Sequence, residues 1–503
     1  MDLFRKSLLA AALIAAMAAA GARDDDDDDD RGGRVKQPLG GGAGVQVETP
    51  VPPGVNMFNL NLWQTRALSK SKNYEVVGHS YFKGPWLTQA AKDAGVGISV
   101  NTPRVYDGVG YFGGYNSPPI MFGTLIADVR DPRNMKPLGF VPCEPGARCG
   151  YIRVNNDRKI LVIAHDSNAA NPTRPAPGAA VRAGVSFHDV SDPRNPRPLG
   201  FLQTRPNGST HGFEIDERYA YVCANFPDTA APISQNQGIA IIDYNDPGNP
   251  VLVSRVHFTG NLVGEPRGPM DDKNPDGTNQ VNQCHEIHVH HGRLYVAWRD
   301  IGAVIIDIED RSQPKVISRL DYVPPYNGGS LGAAHTFMPV VPMGHEGHPR
   351  IAVLTDEIFS CPPGFGRIVD ISYLQNPLFI TTYRLPHVDD NYDRATGRFV
   401  CPAGQQSIHH VALDLKSTGL IHQSWYDQGL RAWDISNPYL PREIGYYVSP
   451  KYASFGRVDR HIREMWQDPD TKLIYMSDGN GGGVTVLRWT GPLPKEPLPT
   501  TPR

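Results

Sequence analysis

The chain has 503 residues, of which 40% are hydrophobic, with 51 glycines and 46 prolines. That balance excludes a disordered protein and favours many short strands joined by turns. The formal net charge is -3, or +4 once the seven aspartates of Asp24 to Asp30 are set aside, which excludes an electrostatic nucleic-acid footprint.

Residues 1–22 have the pattern of a secretory leader. Arg5 and Lys6 open it, Leu8 to Ala20 form an apolar core, and Ala20, Gly21 and Ala22 provide a small-residue cleavage site. The apolar run is too short for a comfortable membrane span, and no later segment reaches that length. No cysteine follows the core, so a lipid anchor is not expected. Export to the periplasm, the cell surface or the medium is therefore expected. Residues 23–55, an aspartate run followed by Gly- and Pro-rich sequence, are expected to form a disordered, solvated tail.

From Met57 onward a repeat dominates. Gly123 to Phe140 is echoed by Gly184 to Phe201, and shorter echoes begin at Gly238, Gly302, Gly366, Gly429 and Gly483. Each unit is an apolar strand, an Asp-x-x-Asp/Asn-Pro turn and a further strand. Aspartate suits such a turn because it bonds nearby backbone amides, and proline presets φ. A spacing of about 50–65 residues fits four-stranded propeller blades with long loops.

These units resemble the LVIVD-repeat family of bacterial surface β-propellers, through strands such as Ala240 to Asp243 and Val304 to Asp307. The resemblance covers residues 59–490 and implies an all-β, seven-bladed β-propeller in an extracytoplasmic setting. It implies no defined activity. The propeller is placed at 56–492, with a Pro-rich C-terminal tail at 493–503. Six or eight blades are the alternatives. The seventh unit stops after its third strand, whereas Tyr74 to Phe82 resembles the fourth strand of the other units. That N-terminal strand is predicted to complete the last blade and close the ring, removing an exposed sheet edge.

Six cysteines in an exported chain allow three disulfides. Cys143 with Cys149 and Cys361 with Cys401 are local candidates, and Cys223 with Cys284 would join neighbouring repeats. The absence of a Cys-x-x-Cys pair argues against a zinc–thiolate site.

Histidines recur at the start of the strands that precede the repeated apolar strand: His211, His285, His335, His409 and, less regularly, His461. In a propeller these are the innermost strands. Equal register turns equivalent side chains the same way, so the imidazoles are predicted to meet at the channel mouth. The first two blades carry Asn101 or Arg104 and Gly150 or Tyr151 instead, making the cluster one-sided. Long connections, including 258–283, 322–334, 385–407 and 448–459, fall on the same rim and would wall a pocket there.

Converging neutral imidazoles are metal ligands first, and a set lacking a committed carboxylate suits Fe, Cu or Zn. Glu214, Glu286 and Glu464 lie close by as candidate bases or ring-orienting groups. Asp300 and Asp427 read first as hairpin turn residues, and Arg299, Asp300, Tyr426 and Asp427 are secondarily candidates for substrate contact at the rim. His165, His188, His288, His290, His345, His348 and His422 do not fit the pattern and are assigned to surface or packing roles. No phosphate-binding Gly-rich loop and no nucleophile elbow is present.

The expected function is thus a histidine-ligated metalloenzyme acting on a small organic substrate. Redox chemistry is slightly favoured over hydrolysis or lyase chemistry because the ligand set lacks a carboxylate. Carotenoid-cleavage oxygenases offer an architectural parallel, four histidines holding iron in a seven-bladed propeller, but their sequence motifs are not evident here. The alternative is a non-catalytic envelope protein that binds partners through its loop-rich rim. Neither reading sets the oligomeric state.

Overall fold

The computed structural model describes residues 55–497 except 116–118, 169–170, 172, 174–179, 230–237, 259–261, 263–281, 322–333, 342–347, 360, 386–391, 397, 402–405 and 451–460. The expected leader and acidic tail, His345 and much of the long rim loops lie outside the described residues. No described helix is long and apolar enough to cross a membrane.

Seven antiparallel sheets form the ring. Their innermost strands are Val100–Tyr106, Ile152–Asn155, Thr210–Ile215, Glu286–His290, Ala334–Val340, Val411–Asp414 and Ile462–Gln467, which define blades one to seven. The third strands, such as Gly302–Asp307, are buried almost from end to end. Their apolar residues point to both faces, because each blade is packed between two others. Seven apolar clusters result, one at each blade interface. Val162, Phe213 and Ala240 lie between blades two and three, and Val77, Phe112 and Val486 between blades seven and one.

The repeated turn caps itself as its composition predicts. In blade one Asp128 accepts from the amide of Arg130 at 3.1 Å and Asp131 from that of Arg133 at 3.0 Å, and Asp189 and Asp192 do the same in blade two. Every fourth strand carries a register shift against the third. Beside that bulge several blades place a glycine under the Asp-Pro turn of the next blade. A Cβ on Gly139 would stand 2.4 Å from the Pro193 carbonyl oxygen, and one on Gly200 would stand 2.4 Å from that of Pro247.

The ring closes through the same contact. Tyr74–Ser80 pairs with Val484–Trp489 from Tyr74 opposite Trp489 to Ser80 opposite Val484, as the fourth strand of blade seven. Its Gly78 lies under Pro132 of blade one, with only 1.9 Å between a built Cβ and the proline carbonyl oxygen. The preceding Lys70–Lys72 adds a fifth strand to blade six. A buried chain of hydrogen bonds ties the seam to blade six: Tyr74 Oη to His422 Nδ1 at 2.6 Å, and His422 Nε2 to Asp414 Oδ2 at 3.1 Å. His422 therefore belongs to the closing seam. Residues 493–497 have no regular structure, and the carbonyl of Pro494 accepts from the Ser417 hydroxyl of blade six.

All three cysteine pairs form, Cys143–Cys149, Cys223–Cys284 and Cys361–Cys401. The second pair joins blades three and four at the residue preceding His285.

Gly78→Val forces a side chain into backbone and should destabilise the protein by about 1–3 kcal/mol or more in urea unfolding; wild-type stability would contradict the closure contact. The seam should also weaken in acid. Burial of the His79 ring, whose Nδ1 meets Thr485 Oγ1 at 3.0 Å, pushes its pKa down to about 4. Since the unfolded chain takes up that proton near pH 6.5, stability is full above 6.5 and falls as pH drops towards 4, by up to about 3 kcal/mol. His79→Asn should flatten this slope, read as urea midpoints between pH 7 and pH 4.

Candidate metal centre at the channel mouth

Cross-strand registers place the sequence-predicted histidines. Phe213, Ile287 and Phe337 face Val222, Val296 and Leu354, and Val411 faces Gln423. His211, His285, His335 and His409 each precede these residues by two, so four blades present an imidazole from one level. The same position holds Asn101 in blade one and Gly150 in blade two. Blade seven departs from the expectation: Met465 faces Met476, so Arg463 takes the equivalent place and His461 stands two residues earlier.

The four rings form a continuous buried arc. Successive centroids lie 4.7 Å apart between His211 and His285, 4.1 Å between His285 and His335, and 4.0 Å between His335 and His409. Tyr426 then intervenes, 4.8 Å from His409 and 4.9 Å from His461, so His461 does not continue the histidine row. Its Nε2 lies 3.3 Å from the Arg463 guanidinium.

Hydrogen bonds at Nδ1 hold three of the four rings. Asp166 Oδ2 lies 3.2 Å from His211 Nδ1. His335 Nδ1 is 3.0 Å from Thr336 Oγ1, whose hydroxyl donates to Glu286. His409 Nδ1 lies 3.1 Å from the Arg463 carbonyl oxygen. At His335 and His409 these acceptors select the Nδ1–H tautomer and leave the Nε2 lone pair available, the usual arrangement behind metal-bound histidine, whereas His211 Nδ1 lies 3.2 Å from both Asp166 Oδ2 and the Arg148 Nη2 donor. Asp166 stays ionised beside His211. Burial raises its pKa, but Arg148 and His211 outweigh that and hold it below the usual carboxylate range.

The Nε2 atoms converge with a carboxylate that sequence reasoning missed. His211 Nε2 and His285 Nε2 are 3.2 Å apart, and Glu357 stands 3.5 Å from His335 Nε2 and 3.7 Å from His409 Nε2. Donor atoms of His285, His335 and Glu357 all lie within 4.8 Å of one another. Four ligands about 2.1 Å from one ion stand about 3.4 Å apart. Glu357 follows the second strand of blade five, Ile351–Asp356, and enters an extended connection rather than a tight hairpin. It therefore lacked the turn signature that marked its counterparts.

Those counterparts occupy special backbone. Arg299 and Tyr426, in matching Trp-x-Asp-x-Gly turns, have φ of 28° and 30°, and each bridges to the next blade, at Ala334 and Ile462. A bulky residue at positive φ costs of order 1–3 kcal/mol and persists only where its surroundings fix it. Here the turn aims both side chains at Glu357. Arg299 Nη2 lies 2.9 Å from Oε2, and the Tyr426 hydroxyl donates to Oε1. Asp300 and Asp427 are buried in the same two turns.

The remaining carboxylates sit below the mouth. Glu286 lies 3.1 Å from His410 and 3.8 Å from His288, Glu464 lies 3.5 Å from Arg104, and Glu214 lies 3.1 Å from Arg153. Burial raises the pKa of Glu286, yet His410, His288 and His335 hold it well below the usual range. Burial lowers His410, but Glu286 carries it above its ordinary value. These groups form a charge-compensated layer beneath the arc. His165 and His188 bond to Ser186 at 2.7 and 2.9 Å, whereas His291 and His348 are exposed with ring centroids 6.1 Å apart.

The family model for the LVIVD repeat matches residues 284–321, which is blade four with the residues leading into it. No curated protein matches the chain. Among solved structures, the β-propeller domain of Cps50 (Swd1) from Myceliophteria thermophila is similar at a TM-score of 0.45 and 12% identity, covering 78% of this chain and 96% of that one. The chain is a seven-bladed β-propeller that carries an LVIVD repeat in the blade from which His285 projects.

Proposed function

We propose that the imidazole arc and Glu357 bind one divalent transition metal, and that the protein is an exported metal-dependent enzyme acting on a small organic substrate. The observation that carries this reading is that His335 and His409 hold acceptors at Nδ1 and turn Nε2 towards the same carboxylate, which also lies with His285 and His335 within 4.8 Å. His211, His285, His335 and Glu357 are the proposed ligands, with His409 completing the shell or adjoining an open position. His461 is assigned to the rim with Tyr426 and Arg463. Bound there, the metal would activate water or dioxygen.

The expected preference for redox chemistry rested on a ligand set without a carboxylate. Glu357 removes that argument, because histidine–carboxylate sites serve iron oxygenases and zinc hydrolases alike. Iron or copper in the protein would favour redox chemistry, and zinc would favour hydrolysis or lyase chemistry. Three disulfides and the leader-like N-terminus support export.

One contact favours a second reading, a non-catalytic envelope protein that binds partners through its rim. Arg299 already neutralises Glu357 at 2.9 Å, so the arc can also exist as a hydrogen-bonded network around an ion pair.

Elemental analysis of untagged protein separates the two. Near-stoichiometric iron, copper or zinc is expected, lost in His285→Ala/His335→Ala and retained in His291→Ala/His348→Ala, which alters only the exposed pair. No metal in either purified or metal-refilled protein would leave the rim-binding reading. Asp166→Asn, which weakens the hold on His211, should lower metal affinity by about 10- to 100-fold in chelator competition; unchanged affinity would remove His211 from the ligand set.

A further inference from the structure

A second histidine group stands at the end of blade four opposite the channel mouth. His290 pairs with Arg293 across the hairpin, so His291 and Gly292 form a two-residue loop. Both have positive φ, 45° and 64°, as a type I′ turn requires. Blade one fills the same loop with Asp107 and Gly108, at 51° and 72°. Aspartate or asparagine is the ordinary first residue of such a turn, so the turn alone does not call for an imidazole.

His290, His291 and His348 gather at this loop. The His290 and His291 centroids lie 4.3 Å apart with planes at 76°, and those of His291 and His348 lie 6.1 Å apart at 66°. His348 comes from blade five, three residues before its second strand, Ile351–Asp356. The backbone beside it is held, since the Arg350 carbonyl accepts from the Ile371 amide at 2.8 Å. Two imidazoles on one tetrahedral ion, with metal–nitrogen bonds of about 2.1 Å, place their centroids about 5 Å apart. The two separations bracket that value, and the exposed rings of His291 and His348 can reach it by rotating about their side-chain bonds. A carboxylate stands beside them. Glu309 follows the third strand of blade four, with its Cγ 3.0 Å from a Cβ built on Gly292, and its carboxylate pairs with Arg293 at 3.1 Å while 72% exposed.

We infer that His290, His291 and His348 form a second transition-metal site, for zinc or copper(II), on the rim opposite the channel mouth. Five residues of strand, about 17 Å of extended chain, separate His290 from His285, so neither site lends the other a ligand. Imidazole donors select these ions over magnesium and calcium, which take oxygen ligands. Exposed and half-buried rings hold an ion less firmly than the enclosed arc, so desalting strips this site and purified protein carries the arc metal alone.

Zinc is titrated by calorimetry into untagged full-length protein and into His291→Asn/His348→Gln. Asparagine tolerates the left-handed backbone that the turn needs, so the substitution removes the ring and keeps the loop. Wild type should take up one zinc more than the variant, with a Kd of about 1–10 µM, and magnesium should not compete for it. Should the variant not fold, zinc-induced shifts of the His291 and His348 ring protons in the wild type decide instead. Equal zinc uptake by wild type and variant, displacement by magnesium, or ring resonances that zinc leaves in place would overturn the rim site and leave the arc's metal reading untouched. An extra zinc bound here by protein that carries none in the arc would support the rim site and overturn the arc reading alone.

Discussion

Every feature of the channel mouth depends on how one blade seats on the next. The fourth strand of several blades bulges and offers a glycine to the Asp-Pro turn of its neighbour, leaving no room for a side chain between two backbones. Apolar residues on both faces of the inner strands fill the wedge between blades, and burial of each such side chain contributes about 1.5–3 kcal/mol. Because the N-terminal strand makes the contact at Gly78 that the other blades make at Gly139 and Gly200, blade seven meets blade one as blade one meets blade two. The ring therefore has no distinct weak joint in its packing logic, although residues far apart in sequence hold that joint together.

A rigid ring makes small register differences chemically decisive. Blades three to six place the channel histidine two residues before matching cross-strand pairs, which puts four imidazoles within ring contact of each other. In blade seven the pairing of Met465 with Met476 gives that place to Arg463, and His461 lies two residues earlier, although blade three carries the same bulge and keeps His211 in the row. Blades one and two supply an amide and a glycine, so the arc is open on one side. Symmetry of the scaffold and asymmetry of the site thus arise from the same strands.

Electrostatics at the mouth is layered. The arc presents imidazole nitrogens and one carboxylate, which is steadied by Arg299 and Tyr426 from turns with unusual φ values. Below it, the pairs Glu286–His410, Glu464–Arg104 and Glu214–Arg153 cancel charge inside the channel. Buried charges are tolerated when paired in this way, and each pair joins two blades. The same layer reaches up through Thr336 to fix the tautomer of His335.

The sequence by itself determined the blades, their number and the closing strand, because those rest on local signals. Aspartate and proline declare the turns, apolar runs declare strands buried on both faces, and Tyr74 to Phe82 repeats the outer-strand pattern. It also determined His211, His285, His335 and His409, since a shared position in a repeat is a shared position in space. Tertiary structure alone decided Glu357, Arg463 and Asp166 as partners of those rings. Arg463 takes the place of a channel histidine, and Glu357 and Asp166 stand level with Arg299 and Tyr426 at the ends of second strands, but the residue type varies from blade to blade and which ring each one meets depends on neighbouring blades. It likewise decided that His461 falls outside the row, because the pairing of Met465 with Met476 sets the level of that strand and gives the channel place to Arg463.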